Sequence, residues 1–385
     1  MKIKNENIEE YFTNMKRCTR CILPGTFPGI EFDENGVCNY CLNYEPMKVL
    51  GERELERVLS KYRDKGDKYD CLVQLSGGRD SALVLHQIVK KYKMNALAVT
   101  CDFGAITPEG IRNIKRMVDI LGIDHVWIRQ DREKIRQSKE NTKTKFHGWL
   151  KKPAINTIVP VLNSGDKTLE LQMYNYAKKN KIPLIIVGSN SFEQEHFKTG
   201  FLGVFPDDRG EYSTYDKIRI SLKFLMCFLG NSYNYRLSIL KEYIVAATVF
   251  FFESVVRPKG IEYVVFYDYI PWNEKEVLST IYTQLDWKGA SDDTTVTWRI
   301  DDAAYPLMNY IYYKLVGFTE HDEMYSRMIR EGQITGEEAL ERCMQDHKPR
   351  LAPIMEFLKE LNVTKEQLDT ALENYREKLQ DHIVK

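Results

Sequence analysis

The chain has 385 residues, 43% of them hydrophobic, and balances 55 Lys and Arg against 55 Asp and Glu. A zero formal charge lacks the basic surplus of a protein that lives on nucleic acid. No apolar run reaches the roughly 18 residues of a spanning helix, so a membrane span is excluded.

Residues 1–17 read as a polar lead-in. Met1–Glu10 is charged and has no apolar core of a signal peptide, so a soluble, cytoplasmic protein is expected. Cys18, Cys21, Cys38 and Cys41 follow, two CxxC pairs separated by turn signals at Pro24-Gly25, Pro28-Gly29 and Asn35-Gly36. That spacing suits a closed, tetrahedral structural Zn²⁺ site. An iron–sulfur cluster is the rival reading, and a disulfide pair the bland one. Residues 51–66 have the period of a connecting helix.

From residue 70 strands and helices alternate. Strands are expected at Tyr69–Leu75, Ala96–Cys101, His125–Arg129, Ile182–Gly188 and Tyr263–Tyr267, with helices at Ser81–Lys91, Thr107–Leu121, Leu169–Asn180 and Pro271–Leu285. This alternation predicts an α/β fold with a doubly wound parallel sheet, whose ligands bind outside the strand C-termini. Residues 201–256 are rich in Tyr and Phe without a clear period, and Tyr243–Phe252 is apolar throughout. It suits a buried element or an interface. Residues 300–375 read as helical. The expected organisation is a four-cysteine zinc-binding segment at 1–50, an α/β domain at 51–290 with an aromatic insertion at 201–256, and a helical region at 291–385.

The most informative residues are Ser76-Gly77-Gly78-Arg79-Asp80-Ser81, between the first strand and its helix. Unpaired N–H groups and a positive dipole at a helix start favour an anion. Two glycines let the backbone approach it, and Ser76 and Ser81 add hydroxyls. The bland reading is a serine-capped helix start. Arg79 points to a phosphate or to solvent. Cys101 is a nucleophile candidate, although a free Cys is more often a small buried hydrophobe. The histidines form no ligand pattern, and His196 reads as a surface or helix-face residue, with a place near the site beside Glu193 and Glu195 as the alternative. Lys143, Lys145, Lys151 and Lys152 form a candidate basic patch whose simpler explanation is a solvated face.

The loop matches SGGxDS and resembles the PP-loop ATP pyrophosphatases, a HUP-like class that binds ATP and releases pyrophosphate. The resemblance implies pyrophosphate held by Ser76, Gly77, Gly78 and Ser81. It implies nucleotide contacts at Arg79, Asp102, Gly104, Gly188 and Asn190, with Mg²⁺ on Asp80 and Glu193. Ser76, Asp80 and Ser81 are the implied catalytic residues.

Together with the cysteine pairs, the words Cys18-Thr19-Arg20-Cys21-Ile22-Leu23-Pro24, Trp272-Asn273-Glu274 and Thr297-Trp298-Arg299 with Asp301 resemble the N-acetyl sugar amidotransferases of surface-polysaccharide pathways. The implied chemistry is adenylation of an amide oxygen on a nucleotide-linked N-acetyl sugar, then displacement of AMP by ammonia. No Ntn-type or Gly-x-Cys-x-Gly nucleophile is present, so ammonia is expected from a separate glutaminase partner. Arg299 and Asp301 are candidates for the substrate end. The chain departs from the family in lacking a cysteine around 160–170 and in its long aromatic segment. A sulfurtransferase and a non-catalytic nucleotide-binding or zinc interaction module are the alternatives.

Overall fold

The computed structural model describes residues 14–102, 104–162, 166–206, 212–230, 236–251, 259–290 and 296–383. The lead-in before residue 14 and Phe103 lie outside the described residues.

The centre of the fold is organised by short apolar strands that bury both faces. In β1 (Cys71–Gln74), Cys71 and Val73 face one apolar cluster and Leu72 the other. Successive strand side chains point to opposite sides, so a strand without polar positions must be covered twice. β2 (Ala96–Asp102), β3 (His125–Arg129), β4 (Leu184–Val187) and β5 (Glu262–Val265) complete the sheet. All pairs are parallel, in the order β3-β2-β1-β4-β5. Chain direction across the sheet reverses between β1 and β4, which places the switch point beside the loop that follows β1.

One face carries α1 (Glu52–Tyr62), α2 (Arg79–His86), α3 (Pro108–Leu121) and α8 (Glu274–Gln284). α3 shows why its ends lie where they do. Thr107 caps the first turn through the N–H of Gly110, Pro108 opens the helix, and Gly122 ends it at φ 65°. The other face is covered by α5 (Asp166–Lys179) through Met173, Tyr174 and Ala177. α4 (Arg132–Lys151) packs instead into the cluster of the C-terminal helices, with Phe146 and Trp149 fully buried there.

Residues 201–256, which show no period in the sequence, contain two helices, α6 (Thr214–Leu229) and α7 (Leu237–Phe251). The C-terminal region is helical as expected: α9 (Tyr305–Val316), α10 (Glu320–Arg330), α11 (Gly336–Asp346), α12 (Leu351–Leu361) and α13 (Lys365–Ile383). The N-terminal cysteine segment shares an apolar cluster with it, where Leu23 and Phe27 meet Leu307, Ile311 and Phe318.

Lys145 departs from the basic-patch expectation. It is buried, donates to the Pro160 carbonyl at 3.0 Å, and burial pulls its pKa down to about 8.

Leu72 has no exposed surface at the centre of the sheet. Leu72→Ala is expected to lower the unfolding free energy by about 2–5 kcal/mol in a denaturant titration. A loss below about 1 kcal/mol would contradict this account of the core.

Candidate functional site

The 76–81 loop leaves the end of β1 and becomes the first turn of α2. Gly77 has φ 93°, and a Cβ there would sit 2.5 Å from the Gly110 carbonyl oxygen. Only glycine is free of both penalties. Trp287 Nε1 donates to the Gly77 carbonyl at 3.0 Å and pins the turn from α8's side. The hydroxyls of Ser76 and Ser81 are 3.1 Å apart, and Ser76 Oγ accepts from the Gly78 N–H at 3.2 Å. At the end of β4, a Cβ on Gly188 would be 3.2 Å from the Ser81 backbone, so this glycine permits the close approach of strand and loop. The first-turn N–H groups of α2 have no intrahelical acceptors and open beside these hydroxyls. That arrangement can hold a phosphate.

Three carboxylates gather next to it. Asp80 accepts from Trp272 Nε1 at 2.7 Å and from Asn190 Nδ2 at 3.1 Å. Asn190 also caps the following turn through the N–H groups of Phe192 and Glu193. Glu193 accepts from Trp298 Nε1 at 2.6 Å. Burial, then the adjacent Asp80 carboxylate, pushes the Glu193 pKa up to about 8. Asp301 is the third. Burial raises its pKa, against a hydrogen bond from Ser76. Its Oδ1 lies 3.0 Å from where a Gly78 Cβ would be. The segment is held there by the β2–α3 loop: Thr107 N–H donates to the Asp301 carbonyl and Ala303 N–H to the Ala105 carbonyl, both at 3.1 Å.

Arg79 corrects the sequence reading. It faces neither phosphate nor solvent but is buried, donating to Glu274 at 2.8 Å and Thr297 at 2.9 Å. A buried guanidinium without such partners would be severely destabilising. Asp102 accepts from the Gly104 N–H at 2.8 Å, and Arg129 lies 3.5 Å from its other oxygen. Cys101 is held as a neutral thiol, its pKa pushed up to about 12 by burial.

Behind the carboxylates lies a group that sequence reading missed except for Arg299. Arg299 has φ 49°, a left-handed conformation strained for a non-glycine residue. It pairs with Glu195 at 2.8 Å and Glu320 at 3.4 Å, while Lys198 pairs with the same two carboxylates. Trp272, Trp298 and Asp301 were visible as an aromatic and charged residue set in irregular segments. Nothing local tied them to a loop some 200 positions earlier in the chain.

The four knuckle thiols all lie within 4.8 Å of one another, with Cys18 and Cys41 3.9 Å apart and Cys21 and Cys38 3.7 Å apart. This donor set fits a metal ion. The knuckle is fastened to α10: Arg17 pairs with Asp322 at 2.7 Å, Ser326 Oγ accepts from the Ile22 N–H at 3.4 Å, and Arg330 reaches Cys21 Sγ at 3.6 Å. The same helix sends Arg327 to the Ser191 carbonyl at 2.7 Å and Glu323 to the His196 N–H at 3.1 Å. His196 opens the short helix His196–Gly200 and lies on its inner face, not at the surface; its side chain is 17% exposed and accepts from Arg327 at 3.1 Å. Asp322, Cys343 and His347 also cluster. There the Asp322 oxygens are occupied by Arg17, His347 and the Thr319 N–H.

Residues 291–382 match the family described as LPS biosynthesis protein WbpG-like, C-terminal domain. Two curated relatives come from Methanocaldococcus jannaschii. One is an uncharacterized protein, MJ1599, 29% identical over 30% of this chain and 43% of its own. The other is a probable sulfurtransferase, 32% identical over 23% of this chain and 29% of its own. The chain thus spans less than half the length of either. Among solved structures, the U34-tRNA thiolase NcsA of Methanococcus maripaludis with its 4Fe-4S cluster aligns over 86% of this chain and 96% of its own, at 14% identity and a TM-score of 0.31. NMN synthetase from Francisella tularensis aligns over 54% and 95%, at 14% identity and a TM-score of 0.25.

His196 carries the pH dependence of this corner. Burial, then Arg327 and Arg330, pushes its pKa from 6.5 down to about 3. The unfolded chain takes up a proton near pH 6.5 and the folded chain does not. The contribution is therefore full above pH 6.5 and lost as pH falls from there towards 3. Urea midpoints measured from about pH 7 to about pH 5 should fall less steeply in His196→Gln than in the parent. Parallel slopes would contradict the burial argument.

Proposed function

We propose that the chain is an ATP-dependent, AMP- and pyrophosphate-forming amidotransferase acting on an N-acetyl sugar in surface-polysaccharide synthesis. The observation that carries the reading is the anion-binding 76–81 loop walled by Asp80, Glu193 and Asp301. The WbpG-like match of residues 291–382 supports the pathway. The amide oxygen attacks the α-phosphorus of ATP, the bond to the β-phosphate breaks, and pyrophosphate departs into the loop. Backbone donors of α2 stabilise that leaving charge without reorganising, and the Ser76 and Ser81 hydroxyls turn to it from Asp301 and the Gly78 carbonyl. Ammonia then adds to the activated carbon, loses a proton to solvent, and AMP leaves with the C–O electron pair. Gly188 and Asn190 hold the β4 edge of the nucleotide pocket, and Asp102 and Gly104 its β2 edge. The ammonia comes from a separate glutaminase.

Glu193, its pKa pushed up to about 8, holds a proton near neutral pH and hydrogen-bonds Asp80 beside the phosphate loop. Asp80 and Glu193 are the residues that would hold Mg²⁺, which would displace that proton and supply charge neutralisation of the phosphates, with Asp301 beside the loop. Trp272, Asn190, Trp298 and Ser76 orient the three carboxyl groups. In the knuckle, bonds of ~2.3 Å to a tetrahedral ion place thiolates ~3.8 Å apart. The observed 3.7 and 3.9 Å separations suit a single zinc. A four-iron cluster, whose thiolates cap separate irons, would spread them further.

The sulfurtransferase relative favours a second reading, sulfur delivery after the same adenylation. The neutral, half-buried Cys101 thiol argues against a sulfur-carrying role for that residue.

With ATP, ammonium and a panel of nucleotide-linked N-acetyl sugars, the expected products are AMP, pyrophosphate and a sugar in which NH has replaced oxygen. Asp80→Asn and Asp301→Asn should each lower AMP formation about a hundredfold or more while leaving the fold intact. Product formation that requires a sulfur donor, or that survives both substitutions, would overturn the proposal.

Metal analysis of the purified chain should give about one zinc and no iron, and Cys38→Ser should lose the ion and melt at lower temperature. Stoichiometric iron with visible absorbance would replace the zinc reading with a cluster.

A further inference from the structure

Among the described residues, 20 large apolar side chains are exposed, and ten of them lie on α6 and α7. On α6, Tyr215, Ile218, Leu222 and Leu225 recur at helical spacing, so they share one face. Tyr215 is 68% exposed and the adjoining Met226 70%. The opposite face of α6 is already spent: Ile220 packs with Leu202 and Val204, with Phe224 against them. α7 is similar. Its inner side buries Ile239 and is tied to α4 by Ser238 and Glu242, which bond Asn141 at 2.7 and 2.8 Å. Leu237, Leu240 and Val245 stay exposed. Scattered exposed apolar residues need no explanation, but this concentration on two consecutive helices does.

The charge around these faces selects the occupant. Between residues 214 and 245 the sequence has Lys217, Arg219, Lys223, Arg236 and Lys241 against only Asp216 and Glu242, in a chain whose overall charge is zero. Lys217 and Lys241 are exposed. Protein–protein interfaces are depleted in lysine. Lysine beside exposed Leu, Ile and Tyr is instead the composition of helices that lie in the headgroup region of an anionic bilayer. The sequence from Tyr243 to Phe252 carries no charge at all. No helix among the described residues is long and apolar enough to cross a membrane, so such contact is in the plane of the surface.

We propose that α6 and α7 dock this protein on an anionic lipid surface, with the apolar α6 stripe entering the headgroup layer and Lys217 and Lys241 meeting lipid phosphates. This surface is separate from the nucleotide site, so its test does not depend on the catalytic reading.

The experiment is co-sedimentation of the full chain with vesicles of phosphatidylcholine alone and of phosphatidylcholine with phosphatidylglycerol. The protein is expected to sediment with the anionic vesicles, to do so weakly with the neutral ones, and to be partly released by salt. Ile218→Glu with Leu222→Glu should lower the partition coefficient about tenfold or more. Lys217→Glu with Lys241→Glu should weaken binding to anionic vesicles alone. Both variants alter exposed positions and should melt like the parent. A parent that stays in the supernatant with both vesicles overturns the proposal. So does binding that both variants retain. A parent dimer that Ile218→Glu with Leu222→Glu converts to monomer, without vesicle binding, would assign the surface to a second copy instead.

Discussion

The structure turns on a conflict of charge. A loop built to receive an anion stands beside Asp80, Glu193 and Asp301, and the carboxylates are not there by accident of surface. Each is oriented by a neutral donor from a different part of the chain: Trp272 for Asp80, Trp298 for Glu193, Ser76 for Asp301. Neutral donors fix a carboxylate without cancelling its charge, whereas a close arginine would cancel it. Arg79, the cation nearest in sequence, pairs with Glu274 at 2.8 Å and also lies 3.8 Å from Asp80, so it offsets part of that charge. In the proposed function a divalent cation would take the place of the Glu193 proton and stand between these carboxylates and the phosphates.

That geometry depends on elements far apart in the chain, and α10 joins several of them. One side of it receives the cysteine knuckle through Asp322, Ser326 and Arg330; another holds the segment after β4 through Glu323 and Arg327. Its first residue, Glu320, meets Arg299 and Lys198. A small segment such as the knuckle has little core of its own, and a bound metal would stiffen one end of this strut. The knuckle's place in the architecture is then that of a brace for the β4 edge, at a distance from the chemistry.

Much of this was legible in the sequence, for physical reasons. The central strands β1, β2 and β4 read as short apolar runs and lie within a few positions of those expected, while the edge strands β3, at the residues expected, and β5 are only half-buried. Cap and stop residues marked α3. The loop was visible because its glycines and serines act locally. What was not legible depends on contacts across the fold. Arg79 belongs to the loop's sequence but not to its chemistry, and only the position of Glu274 shows this. Asp301 reaches the loop because the β2–α3 turn holds its backbone, a contact with no local signal. α6 and α7 carry helical spacing on faces that no described core covers, so their apolar residues gave a composition without an obvious buried side.

The central claim is that the loop and its carboxylates make a nucleotide site that cleaves between the α- and β-phosphates. Phosphorus NMR of ATP incubated with the full chain, magnesium, ammonium and acceptor tests it most directly. The account predicts AMP and pyrophosphate in equal amounts. ADP and orthophosphate would contradict it.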